Sequence, residues 1–191
     1  MDTLAKKLTD YIIDKKIILP EHYEIYHYGL TCFLELLISF ITCVIISMLL
    51  KMPIECLIFF AIFIPLRSFG GGLHLNTYLH CYLASCTVLT ITLLLVKYIT
   101  IPAVASLILC FISLILLFII GPVDNPNRPV SSDENQLFKR RTNITLIVCG
   151  IVAGIFYGFG KYQYLFLEAI ILIVLIISNA IPIFTNKEAE G

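Results

Sequence analysis

Two side chains capable of acyl-transfer chemistry, His74 and Cys81, lie seven residues apart around a glycine-rich break between two apolar segments. A cysteine thiolate attacks carbonyl carbon, and a nearby imidazole can take the thiol proton and later protonate a leaving amine. On one continuous helix the two residues would be separated by roughly 10 Å along the axis, too far for proton transfer. The pair therefore requires the chain to leave helical structure between them.

Three consecutive glycines at 70–72 precede His74 and permit such a turn. Glycine is unfavourable inside a helix and lets backbone N–H groups approach a ligand closely. Asn76 or Thr77 would then cap the next helix and place Cys81 in or just after its first turn. The positive end of the helix dipole favours a thiolate there, so we predict Cys81 as nucleophile and His74 as base.

Other interpretations of these residues stay open. His80 is the rival base, but on a helix its side chain points about 100° away from that of its neighbour Cys81. His74 would otherwise only form hydrogen bonds at the membrane interface, and Cys81 would be a small packing residue. The other six cysteines mostly lie in apolar runs, where cysteine behaves as a small hydrophobe.

Two charged residues are candidates for supporting roles. The N–H groups around Gly70, Gly71 and Gly72, or those at the start of the third span, would stabilise an oxyanion, with the guanidinium of Arg67 as a charged alternative. The other role for Arg67 is that of a positively charged anchor at the membrane surface. Glu35 lies about two turns into the first span, at a depth from which its carboxylate could orient His74. Its other role is that of a neutral group in helix packing.

Apolar helices must position these residues. Of the 191 residues, 59% are apolar and 14% are charged, and uncharged runs long enough to cross hydrocarbon recur along the chain. A soluble domain of this size cannot bury that much apolar surface. We therefore expect an all-α, polytopic membrane protein with six spans, at about 29–50, 53–69, 78–97, 99–120, 143–160 and 162–184.

The segment before the first span predicts a helix on the membrane surface. Apolar residues recur there at helical spacing, namely Leu4, Leu8, Tyr11 and Ile12, with lysines at other positions, before Pro20 interrupts the pattern. The other interpretation is a partly disordered tail. The chain then divides into this segment at 1–28, a six-helix domain at 29–184 with a catalytic loop at 67–81 and a second loop at 121–142, and a tail at 185–191.

The distribution of lysine and arginine predicts the orientation. If six spans alternate, one side carries the N-terminal lysines, Arg67, the basic residues of 128–141 and Lys187. The other side carries only Lys51, Lys97 and Lys161. The positive-inside rule therefore predicts that both termini and both long loops lie in the cytoplasm.

Several functional classes fit the chain less well. The net charge is zero and no tract mixes aromatics with lysine and arginine, so we expect no nucleic-acid partner. No His-Glu-x-x-His motif or second set of ligands is present, so we expect no metal and no other cofactor. Carboxylates within spans, at Glu35, Glu55 and Glu168, would also suit a small transporter or exporter, which is the main alternative. The chain lacks the matched, interrupted helices of such folds.

The break between the second and third spans resembles that of the accessory gene regulator B (AgrB) family, membrane endopeptidases of bacterial quorum sensing. The matching residues are Arg67, Gly71, Gly72, His74, Thr77 and Cys81. The loop at 122–129, followed by the basic residues 139–141, is similar to that family's second cytoplasmic loop. Length, span count and the N-terminal segment agree, so the resemblance covers essentially the whole chain.

The resemblance implies a cysteine endopeptidase of the bacterial cell membrane that cleaves an AgrD-like propeptide. It implies Cys81 as nucleophile, His74 as base and Arg67 as a recurrent loop arginine. An acyl-enzyme thioester would let a nucleophile of the propeptide close a ring, which gives an autoinducing peptide. The expected partners are this propeptide and membrane lipid. Small residues of the fifth span, Gly150 and Gly154 among them, also leave a homodimer open.

Overall fold

The computed structural model describes residues 2–15, 17–70, 78–121 and 132–189, and within these ranges it contains helices and no strand. A short 3-10 turn at Pro20–His22 separates the first helix from the others. The helices are α1 (Asp2–Asp14), α2 (Tyr23–Leu50), α3 (Pro53–Gly70), α4 (Tyr78–Tyr98), α5 (Ala103–Ile120), α6 (Ser132–Gly158) and α7 (Tyr162–Ala189). The predicted all-α class is confirmed.

Six helices of the described part are long and apolar enough to cross a membrane, α2 through α7. Large apolar side chains on their outer surfaces stay exposed, such as Leu49 and Leu57. Lipid tails are as apolar as leucine, so leucines that face outward into a bilayer carry no free-energy penalty. The predicted multi-pass membrane protein with six spans is confirmed.

Several helices extend beyond the predicted spans. Helix α2 begins at Tyr23, and α6 begins at Ser132, eleven residues before the predicted span at 143. Their first turns are polar or charged, so hydropathy does not register them, yet acidic residues such as Glu24 and Glu134 are favourable in the first turn of a helix. Residues 67–70 and 132–142, which we expected in loops, therefore belong to α3 and α6, and α7 continues to Ala189.

The fourth span starts later than expected, at Ala103 instead of 99. Pro102 stands immediately before this helix, with extended backbone (ψ 141°). Because a proline disfavours helical conformation in the residue before it, a helix cannot readily begin at 99 and run through Ile101.

Helix α7 is the central helix of the bundle. It packs against α3, α4, α5 and α6, and half of its membrane-spanning window is buried. Its inward side carries fully buried leucine and isoleucine side chains, including Leu165, Ile171 and Leu172. Helices α2 and α4 pack against each other on one flank, and α1 packs against α2.

Helix α1 has the character expected of a surface helix. Ala5 and Thr9 are fully buried, whereas Leu4, Leu8 and Tyr11 are exposed. Small residues thus let α1 approach its neighbour closely while its larger apolar side chains face outward. An apolar stripe on a short amphipathic helix is typical of contact with the lipid interface.

Helices α3, α5 and α7 end at the same side of the bundle at which α2, α4 and α6 begin; we call this side the Arg67 end, and the opposite side the Lys51 end. At the Lys51 end, Lys97 Nζ donates a hydrogen bond to the carbonyl oxygen of Leu50 at 3.1 Å. Lys51 itself has left-handed backbone (φ 59°), which closes α2 and lets α3 begin at Pro53.

Candidate active site

Arg67 lies in the last turn of α3, and its side chain is half-buried. The helix continues through Gly70, so the guanidinium projects from a regular helix and not from a loop. It lies close enough to the thiol of Cys81 for the two groups to interact electrostatically. The structure therefore brings together two of the predicted site residues, on the adjacent ends of α3 and α4.

Cys81 is the fourth residue of α4, in the first turn, as the sequence predicts. All seven cysteines are among the described residues; Cys81 is the exposed one, and four others are buried. The first N–H groups of a helix have no intrahelical acceptor, so they and the helix dipole favour negative charge in this turn. Cys81 is thus accessible to a substrate at the amino end of α4.

The predicted base and its surroundings lie outside the described residues. These are His74 with Gly71 and Gly72, the capping candidates Asn76 and Thr77, and Asp124 and Asn125 of the second loop. The assignment of His74 as base therefore stays a prediction. The rival, His80, is exposed on α4 next to Cys81, about 100° around the helix from it.

Glu35 is half-buried on the side of α2 that faces α4. Thr42, seven residues further on and thus nearly on the same face, accepts a hydrogen bond of 3.1 Å from the hydroxyl of Tyr82. Glu35 lies about two turns, roughly 10 Å, nearer the Arg67 end than this bond. That places Glu35 at the Arg67 end of α2, near the start of α4.

Aromatic packing fixes α6 against the end of α3. The rings of Phe69 and Phe138 stack with their centroids 6.5 Å apart, and the guanidinium of Arg141 lies 5.2 Å from the centroid of Phe69. We call Phe69, Phe138 and Arg141 the aromatic clamp. The sequence analysis missed it; the only local signal is the spacing of Phe138 and Arg141, three apart on one helix face.

The other carboxylates within spans lie toward the Lys51 end, as expected. Glu55 is in the first turn of α3 and accepts a hydrogen bond of 3.5 Å from Gln163. Glu168, in the second turn of α7, is fully buried, and neither carboxylate oxygen has a hydrogen-bond partner among the described residues. No group of three His, Cys, Asp or Glu in the described ranges is arranged to hold a metal ion.

The small residues of α6 serve contacts within the chain. Ala153 is fully buried, and a Cβ added to Gly150 would lie 3.7 Å from Leu114 of α5. Gly154, by contrast, faces open space. Two of the three residues that could have favoured a homodimer are therefore already packed inside one subunit.

Comparisons with known proteins identify the family of the chain. The family described as Accessory gene regulator B matches residues 5–184, from α1 through the last span. A protein of Clostridium perfringens (strain SM101 / Type A) described as AgrB-like is 24% identical over 154 residues, which cover 77% of this chain and 72% of the relative. No solved structure matches the chain.

Proposed function

Since the chain belongs to the accessory gene regulator B family, we propose that it is a membrane cysteine endopeptidase that cleaves an AgrD-like propeptide and promotes its cyclisation. Family membership suggests a part in the processing of agr quorum-sensing propeptides. One observation carries the finer proposal: an exposed cysteine occupies the first turn of α4, with the guanidinium of Arg67 in electrostatic contact.

In the first step, the sulfur of Cys81 attacks the carbonyl carbon of the scissile bond. His74 takes the thiol proton and donates it to the nitrogen of the leaving amine as the C–N bond breaks. The product is a thioester between Cys81 and the N-terminal part of the propeptide, and the C-terminal part leaves as a free amine.

In the second step, a thiol or hydroxyl within the bound propeptide attacks the thioester carbonyl. Its proton passes through His74 to the departing sulfur of Cys81, which regenerates the enzyme. Exchange of a thioester for a thiolactone retains the acyl energy, whereas attack by water would dissipate it. A site at the end of a helix bundle in the membrane interface limits the access of water to the thioester.

Arg67, Glu35 and the N–H groups of the glycines take supporting roles. Arg67 stabilises the thiolate of Cys81 and the developing oxyanion, together with N–H groups of Gly71 and Gly72. Glu35, near the start of α4, orients the imidazole of His74. The half-buried guanidinium of Arg67, within electrostatic range of the nucleophile, supports this role over that of a membrane-surface anchor.

The propeptide would approach from the Arg67 end, which we place in the cytoplasm with both termini. An amphipathic leader of the substrate would lie on the lipid surface beside α1, which raises its local concentration. All three residues of the basic run at 139–141 are exposed, and of these Arg141 is engaged with Phe69. Lys139 and Arg140 are therefore the residues we assign to acidic side chains of the substrate.

Co-expression with the cognate propeptide, followed by mass analysis, tests the proposal. Cys81→Ala and His74→Ala should each abolish the cleaved and cyclised products, because each removes a group that takes part in bond breaking. Cys86→Ala, five residues further along α4 and half-buried, is the matched control and should process the propeptide normally. Processing by Cys81→Ala at the wild-type level would refute the protease and support a transporter or exporter.

A further inference from the structure

A small pocket lies under the last turn of α3, on the side of Arg67 that faces the bundle core. Leu66 and Gly70 of α3 line it, together with Thr142 of α6 and Asn179 of α7, and leucines complete its walls. Asn179 directly abuts α3, since a Cβ added to Gly70 would lie 3.9 Å from Asn179 Nδ2. The pocket has room for about one water molecule.

Two polar atoms in this pocket have no partner. Thr142 and Asn179 are 5% and 4% exposed, and neither Thr142 Oγ1 nor Asn179 Oδ1 forms a hydrogen bond within the described residues. Buried polar atoms are nearly always paired, either with protein or with ordered water, because leaving them unpaired costs free energy. The pocket therefore contains two polar atoms that need hydrogen-bond partners, and it has space for one water molecule, which could supply them.

The hydroxyl of Thr142 also behaves differently from most threonine hydroxyls of this bundle. Those of Thr31, Thr42, Thr90 and Thr145 donate to the carbonyl oxygen four residues earlier in their own helix. Thr142 lacks that bond, although α6 offers the same carbonyl geometry. Its hydroxyl is thus left for a partner outside its own helix.

We propose that Thr142 and Asn179 bind one water molecule in this pocket, and that this water joins α6 and α7 to the carbonyl end of α3. Asn179 Oδ1 accepts one hydrogen of the water, and the hydroxyl of Thr142 donates to the water oxygen. The second hydrogen is left for a carbonyl of the last turn of α3, where helices have acceptors without intrahelical donors. Thr142 and Asn179 would then be positioning residues for Arg67.

The binding of water is independent of the proposed protease activity, but its effect on cleavage rests on that function. Thr142→Val and Asn179→Leu each remove one partner of the water and keep similar volume. We expect each variant to lower kcat for propeptide cleavage about tenfold with KM within about twofold, because the substrate itself is not contacted. The double variant should also lose only about tenfold, since either change alone already releases the water.

Thr92→Val is the matched control. Thr92 is equally buried in α4 and its hydroxyl is also unpaired, but it lies toward the Lys51 end, far from Arg67. It should leave kcat within about twofold of wild type. Effects of Thr142→Val and Asn179→Leu that multiply to about a hundredfold, or that match Thr92→Val, would overturn the proposal. Thr142→Ser retains the hydroxyl and should restore cleavage.

A second measurement needs neither activity nor a core substitution. In the full chain in detergent micelles, with asparagine labelled by ¹⁵N, the side-chain amide of Asn179 should show a cross-peak to a long-lived bound water; Asn179→Leu assigns the signal. A signal without that cross-peak refutes the water site, whatever the enzyme does. A wild-type chain that shows the cross-peak but cleaves no propeptide would refute the proposed function alone.

Discussion

At the scale of single residues, the proposed site rests on the electrostatic interaction between Arg67 and Cys81. The sequence analysis left Arg67 with two roles, an oxyanion donor or a membrane-surface anchor. Its half-buried side chain and its electrostatic contact with the thiol support the first role. An anchor would need only the charge, whereas a side chain that holds both a thiolate and an oxyanion needs the planar fork of the guanidinium.

The substitution Arg67→Lys separates these roles. We expect cleavage of the propeptide to fall by at least about tenfold, because a point charge cannot replace two directed N–H donors. Lys161→Arg is the control for an exchange between the two basic side chains, since Lys161 is exposed at the Lys51 end, and it should change cleavage by less than about twofold. Equal cleavage by Arg67→Lys and wild type would return Arg67 to the anchor role.

Exposure of the cysteines predicts the pattern of alkylation. Iodoacetamide should modify Cys81 first, because Cys43, Cys56, Cys110 and Cys149 are buried in the bundle. Mass analysis of tryptic peptides from the folded chain measures this order. An unreactive Cys81, with faster labelling of a buried cysteine, would contradict the placement of Cys81 in an open first turn.

At the scale of helices, the site depends on the end of α3, which the aromatic clamp holds against α6. Hydropathy predicted that a helix crosses the membrane in each of these regions, because the apolar runs are long. It could not predict the clamp, since Phe69 and Arg141 are 72 residues apart and meet only through packing. The same holds for Thr142 and Asn179, which look like ordinary helical residues in the sequence.

The clamp makes a prediction about stability. Arg141→Gln should lower the free energy of unfolding by about 0.5–1 kcal/mol, the typical worth of a cation–π contact near a surface. Arg140→Gln removes the same charge from an exposed position and should have no measurable effect. Thermal unfolding of the purified chain in detergent compares the two. Equal unfolding temperatures for both variants would mean that the contact with Phe69 contributes nothing.

Helix α7 allows a second matched comparison. Ile171 is fully buried, whereas Ile177, on the same helix, is 55% exposed. Ile171→Ala should therefore lower the free energy of unfolding by about 2–5 kcal/mol through a cavity in the packed core, and Ile177→Ala should cost much less. The same thermal measurement compares the two variants. Similar losses of stability for both would show that α7 is not the central helix.

At the scale of the whole molecule, composition predicted the helical class and the six spans, but not the helix ends. The six spans follow from long apolar runs, and successive spans must run in opposite directions across the bilayer. Charged first turns, such as that of α6 with Glu134, carry no hydropathy signal, so the early start of that helix was not predictable. Around Cys81 the sequence predicted the helix start, because three glycines and capping residues precede it.

Orientation is a prediction for the whole molecule. Cysteines introduced at Lys51 and Lys161, in a variant without native cysteines, should react with a membrane-impermeant maleimide added to intact cells. A cysteine at Lys187 should react only after the cells are opened, because the positive-inside rule places that end in the cytoplasm. The reverse pattern of labelling would place Arg67 and Cys81 outside the cell, away from a newly made propeptide.

The hydrogen bond between Tyr82 and Thr42 has a consequence for the direction of attack. Tyr82 directly follows Cys81, so a bond that points Tyr82 toward α2 also fixes the rotational phase of α4. With successive side chains about 100° apart, Cys81 points sideways from α4 and not directly at α2. A change of one residue in that phase would swing the sulfur away from Arg67. The orientation of the nucleophile is thus set by a tyrosine that takes no part in the reaction.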